Sequence, residues 1–270
     1  CYIVSVGNYS TAINTTDLES GLTALKSEDE PTLILLPDAQ GLSSNSADYY
    51  SLYKSALAQC AELKDRFTII DTHNGSALSG IADFRTGIGA NHLSYGAAYF
   101  PALVTTLRYG YNESDIDVVV EGTPAVTQKL RDDATPAESL YHQANDAYNE
   151  IKTILDSYQV TLPPSGAIAG IYAQVDNSRG VFKAPANVSL NKVVKPTLKL
   201  SNQDQDGLNA PSNGKAVNAI RTFTDKGVMV WGARTLDANS SEWRYIPVRR
   251  FFNFAEESIS KTIDRFVFEP

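Results

Sequence analysis

Three histidines, His73, His92 and His142, limit every catalytic scheme built on imidazole. The sharpest arrangement is IIDTH, residues 69–73, which sets Asp71 and His73 just past an apolar, strand-like run, with GANH closing on His92 further along. Carboxylate and imidazole in that order suit a metal-dependent, phosphoesterase-like hydrolase working through Asp71, His73 and His92. A two-metal centre needs more ligands than these, and His142, the one histidine that follows, adjoins the apolar stripe of a helix. Such a pair of metals would be under-liganded, and loop or surface histidines are the simpler account.

Other chemistries fare worse. No Gly-x-Ser-x-Gly elbow is present, and Ser165-Gly166-Ala167 opens a helix with no base in view. GIGANH has His92 where a dinucleotide fingerprint needs its third glycine, and no glycine run leads into Lys-Ser or Lys-Thr. Asp204 and Asp206 in NQDQDG have the look of half a calcium loop, but the glutamate that should close it is missing, so a polar turn is expected there. Neither cofactor nor metal is expected.

Charged pairs remain. Arg249 and Arg250 could clamp a phosphate or carboxylate, but in an acidic chain they are expected to form ion pairs within or between subunits. Asp176 and Arg179, three apart, read as a structural salt bridge. Arg234 and Glu256 join them as candidate contacts, because these charges cluster around one strand-to-helix connection.

With 270 residues, 43% apolar and 20% charged, the chain can bury a sizeable core as one large domain or two smaller ones. A net charge of −8 argues against binding nucleic acid or an anionic membrane surface. No apolar run approaches the ~20 residues that span a bilayer, so no membrane insertion is expected. Cys60 falls on the apolar stripe of a helix and Cys1 stands at the extreme end, so no disulfide framework is implied. A chain that begins with Cys suggests a segment of a longer one; a lipoprotein would begin so too, but no linker follows.

The elements that must position these residues are α/β in pattern. TLILLP (32–37) and RFTIID (66–71) read as strands flanking a helix from Ser46 to Lys64, the crossover a parallel pair requires. AAYFPALVTTL (97–107) reads as a strand edged by Pro101. DIDVVVEG (115–122) reads as a strand, followed by a long helix whose start carries a capping box of Thr135, Pro136 and Glu138. Pro163 and Pro164 end that helix, and SGAIAGIYAQVD starts the next, with Gly166 and Gly170 on a smooth face suited to close backbone approach. AVNAIRTF and VMVWGA flank Asp225-Lys226-Gly227 and read as a hairpin. YIPVRR reads as a short strand, FFNFAEESISKTI as a helix and RFVFE as a closing strand.

One series of unlike motifs, in order, is more specific than any of these. It comprises Pro164-Ser165-Gly166, Ala169-Gly170, Asp176, Arg179-Gly180, Ala184-Pro185-Ala186-Asn187, Leu208-Asn209, Asn218 with Ile220-Arg221, Trp231-Gly232-Ala233-Arg234-Thr235 and Phe268-Glu269-Pro270. Upstream, LTAL (22–25), DRFTIID (65–71) and YGAAYFPAL (95–103) fit as well. Together they resemble the contractile sheath proteins of phage tails, pyocins and extracellular contractile injection systems.

The resemblance implies an α/β fold: a mixed-sheet, sheath-type core flanked by helices, with a small inserted strand-plus-helix segment. Its expected organisation is the N-terminal part of the core at 1–108, the insertion at 109–162 and the start of the C-terminal core at 163–270. It implies a non-enzymatic subunit that polymerises with copies of itself as hexameric rings around an inner tube protein, bounded by baseplate and terminal cap proteins. Assembly in the bacterial cytoplasm into a virion tail or extracellular particle would follow. The family continues past the Phe-Glu-Pro motif and carries an N-terminal arm, so both linking arms are expected to lie outside this chain.

Overall fold

Strand FTIID is buried at every position, which requires cover on both faces of the sheet. In the computed structural model, which describes residues 1–8, 11–42, 46–122, 125–263 and 266–267, helices supply that cover. The chain runs α1 (Thr15–Lys26), β1 (Leu33–Ile34), α2 (Ser46–Leu63), β2 (Phe67–Asp71), α3 (Ser79–Gly87) and β3 (Gly96–Phe100). Next come β4 (Leu103–Arg108), β5 (Asp117–Val120), β6 (Val126–Lys129), α4 (Leu140–Gln143), α5 (Asn145–Ser157) and β7 (Gln159–Leu162). The remainder is α6 (Ser165–Arg179), β8 (Val188–Ser189), β9 (Val193–Pro196), α7 (Asn202–Asn209), β10 (Val217–Phe223), β11 (Gly227–Val230) and α8 (Ile246–Ile263).

The chain divides into two units, Cys1–Leu103 with Leu162–Pro270, and Val104–Thr161. The first holds a six-stranded mixed sheet in the order β1-β2-β3-β10-β11-β8. β1, β2, β3 and β10 are mutually parallel, while β11 pairs antiparallel with β10 and with β8. Alternate strand residues serve opposite cores. Ile70, Ala98 and Val217 pack with α1, α2 and α3 on one face. Phe67, Ile69, Tyr99 and Ile220 pack with Ile168, Ile171, Tyr172 and Val175 of α6 on the other. The expected crossover helix, parallel pair and 217–230 hairpin are all present, and Gly227, at φ +72°, supplies the left-handed turn residue.

The second unit is a β5–β6 hairpin and α4–α5 around Leu130, Leu140 and Tyr148. Its exit and return strands, β4 and β7, lie side by side, and Thr105 donates its hydroxyl to the Val160 carbonyl at 2.8 Å. Glu113 accepts from Tyr148 at 2.9 Å and pairs with Lys152, which joins the hairpin side to α5.

Four expectations need correction. The long helix of this unit is broken: a single turn at Pro136–Glu138 precedes α4, and Ala144, at φ −147°, separates α4 from α5. Thr135 makes no cap; its hydroxyl donates to Asp132, which also takes the Ala134 and Thr135 amides and so builds an Asx turn that competes with the helix. The polar turn expected at NQDQDG is helix α7, started by a capping box of Ser201 and Asp204. YIPVRR is no strand but the first turn of α8, where Pro247 is tolerated because early helical N–H groups have no partner to lose. The closing strand expected at RFVFE falls mostly outside the described residues, and Phe266 and Val267 are not in a strand.

α3 meets α2 closely at Gly87, where an added Cβ would come within 2.1 Å of the Tyr50 ring. Gly87→Ala is expected to destabilise the protein by ~1–3 kcal/mol through overpacking, read as a lower urea midpoint at unchanged slope.

Candidate functional site

Helix α6 is fixed at both ends by carboxylates. At its start the Ser165 amide donates to Asp71 Oδ1 at 2.8 Å, so the last residue of β2 supplies an acceptor to a helix N-terminus whose own cap position, Pro164, makes no side-chain bond. Asp71 is fully buried. Burial lifts its carboxyl to about 6, against the lowering effect of the bonds from Ser165. Among the described residues, its Oδ2 and the Ser165 hydroxyl have no other hydrogen-bond partner.

Near the other end, Asp176 accepts two bonds from Arg250 of α8, at 2.9 and 2.5 Å, in a fork geometry that only arginine offers. The Arg250 guanidinium also lies over the Tyr172 ring at 4.7 Å. Arg249 sits over Trp243 at 4.2 Å and Tyr95 at 4.8 Å, and its Nε donates to Asn253 Oδ1 at 2.8 Å. Asn253 in turn donates to the Arg66 carbonyl at 3.1 Å. α8 is therefore held to the body chiefly by polar and cation–π contacts.

Of the six candidate contacts, the structure brings Asp176, Arg249 and Arg250 into this latch. Glu256 adds only a 3.5 Å contact to Arg249 while remaining half exposed. Asp176 is paired with Arg250 and not with Arg179, which is exposed at the end of α6; the partner lies 74 residues away. Arg234 stands apart, in a β-bridge with Tyr245, and its amide donates to Asn218 Oδ1 at 2.8 Å. Arg249 and Arg250 lie within a helix, not on a strand-to-helix connection.

Two residues escaped the sequence reading. Arg66 is 1% exposed and donates to Asp65 and to the Leu25 and Glu28 carbonyls, closing the end of α1. Asn218 is buried in β10 and bonds the Ala98 and Arg234 carbonyls as well as the Arg234 amide. Gly232 is needed beside it, since a Cβ there would lie 2.7 Å from Asn218 Oδ1. A polar residue inside the apolar run VNAI was the available signal.

The hydrolase triad does not assemble. Asp71 is engaged with α6, and His73 is buried against the Tyr49 and Tyr50 rings. His92 lines a separate cavity of about 150 Å³ with Lys54, Ala58 and residues 88–91. Among the described residues no cluster of three or more His, Cys, Asp or Glu is placed to hold a metal. That cavity, and one of about 80 Å³ beside Asp176 and Arg250, are smaller than the ~300 Å³ at which ligand pockets begin.

Residues 103–236 match the family model of the phage tail sheath protein central domain. The chain is similar over 96% of its length to a chain of the cryo-EM anti-feeding prophage (AFP) baseplate, six-fold symmetrised, at TM-score 0.61 and 29% identity. The chain belongs to the contractile tail sheath family. Against the AFP helical sheath in its contracted state, this sheath chain is 30% identical over 96% of its length, with TM-score 0.58. Against the contracted PVC sheath complex of an extracellular contractile injection system, the values are 27%, 95% and 0.61. A tail sheath protein of Salmonella phage ViI is 29% identical over 105 residues, 37% of this chain and 16% of that protein. The sheath chain spans 53–54% of the length of these three solved chains.

The latch and the cap carry two expectations. Arg250→Ala, which strands a partly buried carboxylate, should cost about 3 kcal/mol in denaturant unfolding, and a double-mutant cycle with Asp176→Ala should recover much of it. For Asp71, a folded pKa raised from 3.8 to about 6 means the folded state keeps its proton where the unfolded chain has lost it. The stabilisation is complete below pH 4, falls as pH rises to 6 and levels off above, a loss of about 3 kcal/mol. Asp71→Asn keeps the acceptor for Ser165 and should remove that slope from the stability–pH profile.

Proposed function

We infer that this chain is a structural subunit of a contractile sheath: it polymerises as stacked hexameric rings around an inner tube and contracts to drive the tube through a target envelope. The observation that carries the reading is the match of nearly the whole chain to sheath chains at about 30% identity, including two in contracted assemblies. The fold suits the role. A body of six strands covered by helices on both faces moves as a block, so that shape change falls on contacts between subunits and not on the body itself. Its role is mechanical and not catalytic, and it needs no cofactor.

The partners under this reading are further copies of the chain, an inner tube protein, and baseplate and terminal cap proteins. The particle is a phage tail or an extracellular injection device, assembled in the bacterial cytoplasm. Among the described residues no helix is long and apolar enough to cross a membrane.

Negative-stain electron microscopy of the full chain, expressed with and without its tube partner, tests the assignment. Striated cylinders are expected when the tube is present, and dispersed monomers under both conditions would overturn it.

A further inference from the structure

An asparagine followed by glycine can cyclise without an enzyme, because glycine has no Cβ to keep its amide nitrogen away from the asparagine side-chain carbonyl carbon. The chain holds two such pairs, Asn74-Gly75 and Asn213-Gly214. Both asparagines are exposed, but the fold treats them differently.

At Asn213 both reacting groups are tied down. The Gly214 N–H donates to the Pro211 carbonyl at 3.0 Å, and the Asn213 side-chain oxygen accepts from the Lys215 amide at 3.2 Å. Gly214 is buried, and its carbonyl accepts from the Ala238 amide at 2.9 Å. Ring closure here has to break two hydrogen bonds inside a turn that the chain holds from outside.

Asn74 lies in the loop from β2 to α3, in the left-handed region at φ +54°, which asparagine tolerates. Among the described residues its side chain makes no hydrogen bond, and the Gly75 N–H donates none. The loop is held through its carbonyls instead. Asn74 O accepts from the Ser76 and Ala77 amides, and Gly75 O accepts from the Ala102 amide at 2.7 Å. Nucleophile and electrophile are both unengaged.

We propose that Asn74 is a site of spontaneous deamidation, the one of the two pairs that the folded chain leaves reactive. Hydroxide takes the Gly75 amide proton, the nitrogen attacks Asn74 Cγ, the Cγ–Nδ2 bond breaks, and ammonia leaves with a proton from water. Water then opens the cyclic imide. Attack at Cγ gives aspartate, whereas attack at the main-chain carbonyl carbon gives isoaspartate, whose backbone runs through Cβ and Cγ and is longer by a methylene. Either product adds a negative charge close along the chain to buried Asp71. Isoaspartate also lengthens the backbone just ahead of the Gly75–Ala102 bond.

To test this, purified chain is aged in mildly alkaline buffer, folded and in urea, and mapped by peptide mass spectrometry. In the folded chain Asn74 should convert at least about tenfold faster than Asn213, where two hydrogen bonds hold the reactants. In urea, where both turns are lost, the two rates should converge. Equal rates in the folded chain, faster conversion at Asn213, or an Asn74 that reacts in urea and not in the folded chain would each overturn the proposal. Asn74→Gly suits the left-handed turn and has no side-chain amide to lose. It should abolish conversion at residue 74 and leave the Asn213 rate as it was. Chain aged to isoaspartate should unfold at a lower urea midpoint than fresh chain, while aged Asn74→Gly holds its midpoint. An unchanged midpoint in the isoaspartate form would overturn the effect on the Gly75–Ala102 bond.

Discussion

The fixing of α6 by a carboxylate near each end is the constraint on which the larger unit depends. Asp71 ties the helix start to the end of β2, and Asp176 ties its last turns to α8 through Arg250. Between these anchors, Ile168, Ile171, Tyr172 and Val175 cover one whole face of the sheet. Removing either anchor would leave a buried charge or a bare helix end as well as a looser helix, so electrostatics and packing are coupled here. The Asp71 anchor is costly in itself, since a carboxylate with one oxygen unpartnered sits in the interior and raises its own pKa in consequence.

This constraint also explains the polarity of α8. A helix held by guanidinium–carboxylate and guanidinium–aromatic contacts needs no apolar inner face, which frees its phenylalanines to face outward. Arginine suits the role, because its planar head makes a fork bond and stacks on Tyr172 in the same pose. Under the proposed sheath role, a body locked from inside by directional bonds would leave shape change to the contacts between subunits.

Much of the fold was legible because local pattern and final structure agree. The apolar spacing from Tyr49 to Cys60 is a helix, the Asp225-Lys226-Gly227 turn makes a hairpin, and the proline pair marks the start of α6. The failures have physical causes. α7 is short and strongly polar, so its signal lay wholly in the Ser201 cap and not in periodicity. The first turn of α8 looked like a strand because Ile246, Pro247 and Val248 are β-like or helix-averse as types, and only the burial of Ile246, Arg249, Arg250 and Asn253 reveals the helical face. At the candidate site, the types of residue were legible and the pairings were not. Asp176 has Arg179 as its neighbour along the helix, but that side chain stands at the exposed end of α6, whereas Arg250 is carried to it by the packing of α8. Contacts across 74 residues belong to topology, which one sequence does not display.

The smaller unit bears on how such proteins diversify. Its core of Leu130, Leu140 and Tyr148 is its own, and the chain enters and leaves it through β4 and β7, which run as neighbouring strands. Neighbouring strands lie ~4.8 Å apart, so any folding module with adjacent termini meets the geometric condition for insertion there. A change of length or sequence inside that module would leave the register of the six-stranded sheet as it is, because the two units have separate cores.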